Sequence, residues 1–230
     1  DNAAVWEHEI GTTRSTIRVA QGATALTNVS YTPDAADHIA DQDAFIVQYV
    51  SSDQFAAQTL AAQVLTAQFQ CLEGHAANNL KLTLRVYACS ADGATIRTPD
   101  ILSITRTVAE VFTSLRNLSF SATTTEVTIS RGDRIVVEIG LGGLPTTAGG
   151  TQGHNGTIRF GENGASGDLP SDSTTTTTTY NPWLQFANTL VVMTNARGEV
   201  SWAELEVPNA PVTPTRGQVS WAEVQVPSVV

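Results

Sequence analysis

Charge is what this 230-residue chain has least of. Only 15% of its residues are Asp, Glu, Lys or Arg, well under the usual quarter of a globular domain. What charge it has is mostly of one sign: 22 acidic residues stand against 12 basic ones, for a net charge of −10. Such a surface repels a phosphate backbone, which excludes nucleic acid as a partner. No run of about 20 apolar residues exists, which excludes a helical membrane span. Cysteine is scarce as well. Cys71 and Cys89 are the only two, each at the end of an expected strand, and two free, partly buried thiols are expected in preference to a bridge. No signal-peptide pattern opens the chain, and its first residue is Asp1, which fits an N-terminus that is processed or continues upstream.

Catalytic patterns are missing too. The histidines, His8, His38, His75 and His154, form no HxH or HExxH element, and neither cysteine has a metal-ligand neighbour, so no metal is expected. No Gly-x-Ser-x-Gly elbow offers a serine nucleophile. Gly140, Gly142 and Gly143 follow a strand with no amphipathic helix behind them, which argues against a phosphate cradle. Glu162, Asn163, Asp168 and Asp172 match no calcium-loop spacing and read as a solvated loop. Glu138, on a central strand, is the one carboxylate with a rigid mount, and no partner carboxylate for glycoside hydrolysis can be named. Arg131-Gly132-Asp133 reads as a tight turn before a core strand rather than as an integrin-binding triplet. The expectation is a protein that is not an enzyme and carries no cofactor.

What the chain does have is alternation. Leu80, Leu82, Leu84, Val86 and Ala88 form one row, expected in the core. Lys81, Thr83, Arg85, Tyr87 and Cys89 form the other, expected half-exposed. Phe45, Val47 and Tyr49 alternate with Ile46, Gln48 and Val50. Residues 55–71 carry both helical and strand signals and are read as strand in an all-β context. A helical turn is expected near 110–115. Asp92-Gly93 marks a turn, and 135–140 is an apolar strand. Roughly nine or ten strands joined by Gly, Asn and Asp turns define the fold class: all-β, an antiparallel β-sandwich of jelly-roll form over residues 1–195.

An extended C-terminal arm follows, at 196–230. Residues 197–208 return at 216–227, 19 residues on, with 9 of 12 positions identical. Each copy has the pattern of a short strand with a change of phase near its middle, and one copy is too short to fold alone. Val200, Trp202, Leu205 and Val207, with Val219, Trp221, Val224 and Val226, are the expected partner-binding anchors. A repeated strand-forming arm is suited to reaching a neighbouring subunit.

The blocks Arg134–Gly140, Gly156–Gly161, Asp168-Leu169-Pro170 and Asn181–Phe186, together with the Val-Ser-Trp-Ala-Glu repeats, resemble jelly-roll structural proteins of tailed bacteriophages. The likeness runs over most of the chain from Phe45 onward. It implies a virion protein of the head decoration or of the tail, with no catalytic residues; the repeated arm adds the expectation of an oligomer bound to other copies of itself and to other virion proteins. A carbohydrate-binding or adhesin module of a phage tail or a secreted protein is the alternative, with Tyr180 and Trp183 as candidate glycan-binding aromatics.

Overall fold

The computed structural model describes Trp6 and residues 8–17, 27–31, 42–143, 156–160, 167–174 and 180–193. The chain divides into two units, Asp1–Met193 and Thr194–Val230; every described residue lies in the first.

Twelve strands are described: β1 His8–Ile17, β2 Thr27–Tyr31, β3 Gln42–Ser51, β4 Gln58–Leu60, β5 Val64–Glu73, β6 Lys81–Cys89, β7 Leu102–Arg106, β8 Arg116–Thr123, β9 Val127–Ile129, β10 Arg134–Gly143, β11 Gly156–Phe160 and β12 Trp183–Phe186. The stretch with mixed signals resolves as strands β4 and β5. The helical turn expected near 110–115 is not found there. The only helical piece among the described residues is a 3-10 turn at Ala76–Asn78, ended by Asn79 in the left-handed region at φ 49°. His75 sets that turn, because its Nδ1 accepts the Ala77 N–H.

One sheet runs β1-β3-β10-β6-β7. In the other, β5 is flanked by β8 on one side and by β12 and β11 end to end on the other, with β2 beyond β11. The pairs β3–β10, β4–β9, β5–β8 and β6–β7 nest inside one another. That is the pairing of a long hairpin wound into a jelly roll. The antiparallel expectation has one exception among the strand pairs: β1 lies parallel to β3. It stands outside the nested set, so no hairpin dictates its direction.

The two sheets close on one core. Leu82, Leu84, Val86 and Ala88 face Leu65, Ala67, Phe69, Cys71 and Phe120 across it, with Ile135, Val137, Ile139 and Leu141 from β10. Truncation of such a side chain removes its transfer energy and leaves a cavity, so Leu84→Ala is expected to cost about 2–5 kcal/mol, measurable by chemical denaturation.

Two expectations about these rows are corrected. Phe45 does not share a face with Val47 and Tyr49. The β3–β10 register shifts between Ile139 and Gly140, so Ile46 and Val47 both reach the core while Phe45 turns to the outer face. A bulge of this kind inverts the alternation on one side of itself. The second row of β6 is not half-exposed either. Thr83, Arg85, Tyr87 and Cys89 are all buried, because the outer face of this sheet is itself covered. The cysteines therefore sit in different layers, Cys71 in the core and Cys89 on the outer face, and both are free.

Candidate functional site

The outer face of the β1-β3-β10-β6-β7 sheet carries the densest polar chemistry among the described residues. Its centre is Glu138, which is 0% exposed. Four groups donate to its carboxylate. Trp6 Nε1 and Arg85 Nη1 reach Oε2 at 2.9 and 3.2 Å. Gln48 Nε2 and the Tyr87 hydroxyl reach Oε1 at 2.9 and 3.2 Å. Arg85 also grips Asp100 with two hydrogen bonds, of 2.7 and 3.1 Å, and lies over the Tyr87 ring at 4.4 Å.

The sequence builds this cluster from successive outward positions. Glu138 is flanked across the sheet by Gln48 on β3 and Arg85 on β6. Two residues on, Gly140 presents no side chain, and a Cβ there would lie 2.0 Å from the Ala44 carbonyl and 2.9 Å from the Trp6 ring. The glycine is what lets the indole lie down on the sheet, where it packs on Phe45 at 6.0 Å between ring centroids. Gly142 gives the same room to the ion pair of Asp43 with Arg106, 2.7 Å long. These glycines belong to β10, not to the loop after it. Gly140→Ala forces backbone apart rather than a flexible side chain, and is expected to cost several kcal/mol, about the upper range for overpacking. Thermal unfolding of the purified variant measures it.

Electrostatics make the cluster a locked one. Burial works against the Arg85 charge, but Asp100 and then Glu138 hold the guanidinium above its ordinary range. Burial, followed by the Glu138 charge, pushes the Tyr87 phenol well up, so it stays a donor. The rigid mount read from the sequence is a carboxylate whose four hydrogen bonds tie β3, β6 and β10 to one another and to Trp6.

Beside the cluster a cleft of about 540 Å³ opens between the ends of β3, β10 and β6. Gln48, Val50, Tyr87 and Val136 form its floor, with Arg134 and the turn at Ala91–Gly93 on its rim. The apolar part of the floor is a small cluster of its own, made by Tyr87, Cys89 and Val136 with Val50 and Ile96. Arg134 donates through Nη1 to the carbonyls of Ser51 and Ser52, both at 2.7 Å. Gly93 takes φ +75° in the turn, as Asp92-Gly93 indicates from sequence.

The other readings can now be placed. Asp133 of the Arg-Gly-Asp string is 1% exposed, held by Arg97 at 2.7 and 2.8 Å and by the Ser130 N–H at 2.8 Å. Gly132 takes φ +89°. The triplet is the expected turn, and its carboxylate is not available to a receptor. Trp183 is partly buried and donates its indole N–H to the Leu169 carbonyl at 2.8 Å. Tyr180 is 36% exposed and packs against Gly167. Trp183 lies on β12, in the far sheet from the Glu138 cluster, where buried Asn117 accepts from Gln70 and donates to the Pro170 carbonyl. Asp168 and Asp172 are exposed; Glu162 and Asn163 lie outside the described residues, as do Val200, Trp202, Leu205, Val207, Val219, Trp221, Val224 and Val226. Among the described residues no group of three or more His, Cys, Asp or Glu side chains is arranged to hold a metal.

No protein-family model matches the chain, and no curated protein matches it. Among solved structures it is similar to a CocE/NonD family hydrolase from Staphylococcus aureus, at 9% identity and a TM-score of 0.41, over 77% of this chain and 34% of that one. It is also similar to the Eiger TNF of S. frugiperda, at 11% identity and a TM-score of 0.25, over 66% and 94%. A third likeness is to the VP2 subviral particle of infectious bursal disease virus, at 16% identity and a TM-score of 0.21, over 72% and 39%. The chain spans about a third of the length of the hydrolase. At these values the likenesses carry no function to this chain. The β-sandwich they accompany is the class of protein that the fold defines.

Proposed function

We propose that the chain is a structural protein of a virion, a capsid decoration protein that grips neighbouring subunits through its C-terminal repeats, and not an enzyme. The observation that carries this reading is the near-identical pair of segments with the pattern of short strands, 19 residues apart, in the unit that follows Met193. The rigid carboxylates of the sandwich support the same reading, since Glu138, Asp100 and Asp133 are each committed to arginines. The resemblance to jelly-roll proteins of tailed phages supplies the setting, the virion. Two linked copies convert two weak contacts into one tethered attachment.

The test is mass in solution. The full chain is expected to be oligomeric, and a chain ending at Asn195 is expected to be monomeric while keeping the melting temperature of its sandwich. A monomeric full chain, or a truncation that leaves the oligomer intact, would remove the reading.

A further inference from the structure

Going beyond that reading, we propose that two copies of the chain join edge to edge through β8, antiparallel about a two-fold axis at Ser121. Among the described residues β8 pairs with β5 alone, so it ends its sheet. One bond shows which backbone groups lie on its open side. Thr124 continues the β5–β8 register opposite Gln63 and gives its N–H to the Gln63 carbonyl at 2.8 Å. Backbone groups alternate in direction along an antiparallel strand. Ala122, Phe120 and Leu118 therefore turn theirs toward β5, and Thr123, Ser121 and Ser119 turn theirs outward. These three residues are also exposed. Both ends of the open stretch are closed. Thr125 gives its N–H to the Ile101 carbonyl at 2.8 Å, and Asn117 is buried. What is left open is 119–123.

Edge strands are usually guarded by charge, proline, a bulge or shortness. The β1 edge has Glu9, Arg14 and a register shift. The β7 edge has a register shift and ends on Arg106. Strands β2 and β12 are only five and four residues long. Strand β8 has none of these devices over 117–123. That stretch holds no charge, Pro or Gly, and its eight pairs with β5 run without a shift.

Self-complementarity selects a second copy as the occupant. A two-fold that pairs 119–123 with 119–123 has one register, with Ser121 opposite its own copy and Ser119 opposite Thr123. Each outward N–H then meets an outward carbonyl, and the cross-strand neighbours are hydroxyl residues, which pair well. The same axis puts position 116 opposite position 126, on both sides. Those positions hold Arg116 and Glu126, opposite charges that have no ion-pair partner among the described residues. Arg116 lies over the Phe112 ring at 4.7 Å and donates to Ser114 Oγ at 3.4 Å, and Glu126 is exposed. Backbone exposure sets the register, and the charges agree with it independently. A single strand pair falls below the about 1,200 Å² of a lasting interface. It is weak by itself, which is consistent with a chain ending at Asn195 that is monomeric at dilution. Copies held close by their arms form it readily.

The experiment is position-specific crosslinking of the full-length chain at about 0.1 mM, near the dissociation constant expected of a contact this small. Ser121→Cys puts one new thiol on the axis, while Cys71 and Cys89 are buried and stay silent. The control is Thr128→Cys, an exposed position on β9. With a short bis-maleimide, Ser121→Cys is expected to give about 10-fold more covalent dimer than the control, because only there are two thiols held together. Adding Arg116→Glu to Ser121→Cys sets like charges opposite each other at both ends and is expected to cut the yield by about 10-fold. Adding Glu126→Arg as well exchanges the charges and is expected to restore it. Circular dichroism confirms that each variant is folded. Equal yields at 121 and 128, or a double charge exchange no better than Arg116→Glu by itself, would overturn the edge pairing. Either result leaves the arm reading standing, since that reading is decided by the truncation at Asn195.

Discussion

Glu138→Ala lowers the melting temperature by roughly 10 °C. The carboxylate it removes is the single acceptor common to Trp6, Gln48, Arg85 and Tyr87, all buried. Its loss strands donors in a dry layer, and breaking a buried pair on one side costs about 3–5 kcal/mol. For a chain of this length each kcal/mol moves the midpoint by about 2–4 °C. The cost is one of stranding, not of lost attraction, and that distinction has its own test. In Glu138→Leu combined with Arg85→Met the buried charges leave together, and part of the loss returns, less what Asp100 forfeits. Calorimetry on the two single variants and the double one gives the coupling. Additive losses would show that the cluster is not a unit.

Raising the pH from 4.5 to 7 destabilises the sandwich through Glu73. This residue is 2% exposed. Burial pushes its carboxyl up to about 7, with Glu110 beside it adding to the rise and the Leu80 N–H opposing it. Unfolded, the group titrates near 4.5. Below that both states hold the proton and the contribution is whole. Between 4.5 and 7 the native state keeps a proton that the unfolded chain has released, so stability falls as pH rises, and above about 7 the loss is complete. The span corresponds to about 3 kcal/mol. Glu73→Gln imitates the protonated acid: its carbonyl still accepts the Leu80 N–H, and its amide can donate to Glu110. The variant is expected to match the wild type at pH 4.5 and to melt several degrees higher at pH 8. Melting curves that run parallel across this range would show that Glu73 does not carry the dependence.

Local rules were enough for much of the fold. The alternation of 80–88 sets β6 with its core row correctly, and Asp92-Gly93 and Gly132-Asp133 mark turns whose glycines have positive φ. The bulge that moves Phe45 off the Val47 face has no such signature, because it depends on how β3 meets β10. The parallel course of β1 is likewise a matter of tertiary placement. For the site, the sequence identifies Glu138 as rigidly mounted but not as saturated. Its donors come from positions 53 to 132 residues away for Arg85 and Trp6, and no spacing rule joins them. One clue was readable in principle: Val136, Glu138, Gly140 and Gly142 shrink along one face of one strand, which signals that something lies close against it. The cleft floor was hidden for a related reason, since Tyr87 and Cys89 fall on the row expected to face water.

The nesting of the strand pairs bears on the order in which the molecule can assemble. Val86 and Leu102 are 16 residues apart, Cys71 and Arg116 are 45, Leu60 and Val127 are 67, and Val50 and Val136 are 86. Closed from the outside, the first loop would be the largest. Zipped outward from the β6–β7 pair, each new closure adds only about 20–30 residues, and the entropic step stays small. The last pair to zip is then β3 with β10, which is the one that brings Gln48 to Glu138. In that order Glu138 meets Arg85 through the β6–β10 pair first, and Gln48 closes over it only with the last pair.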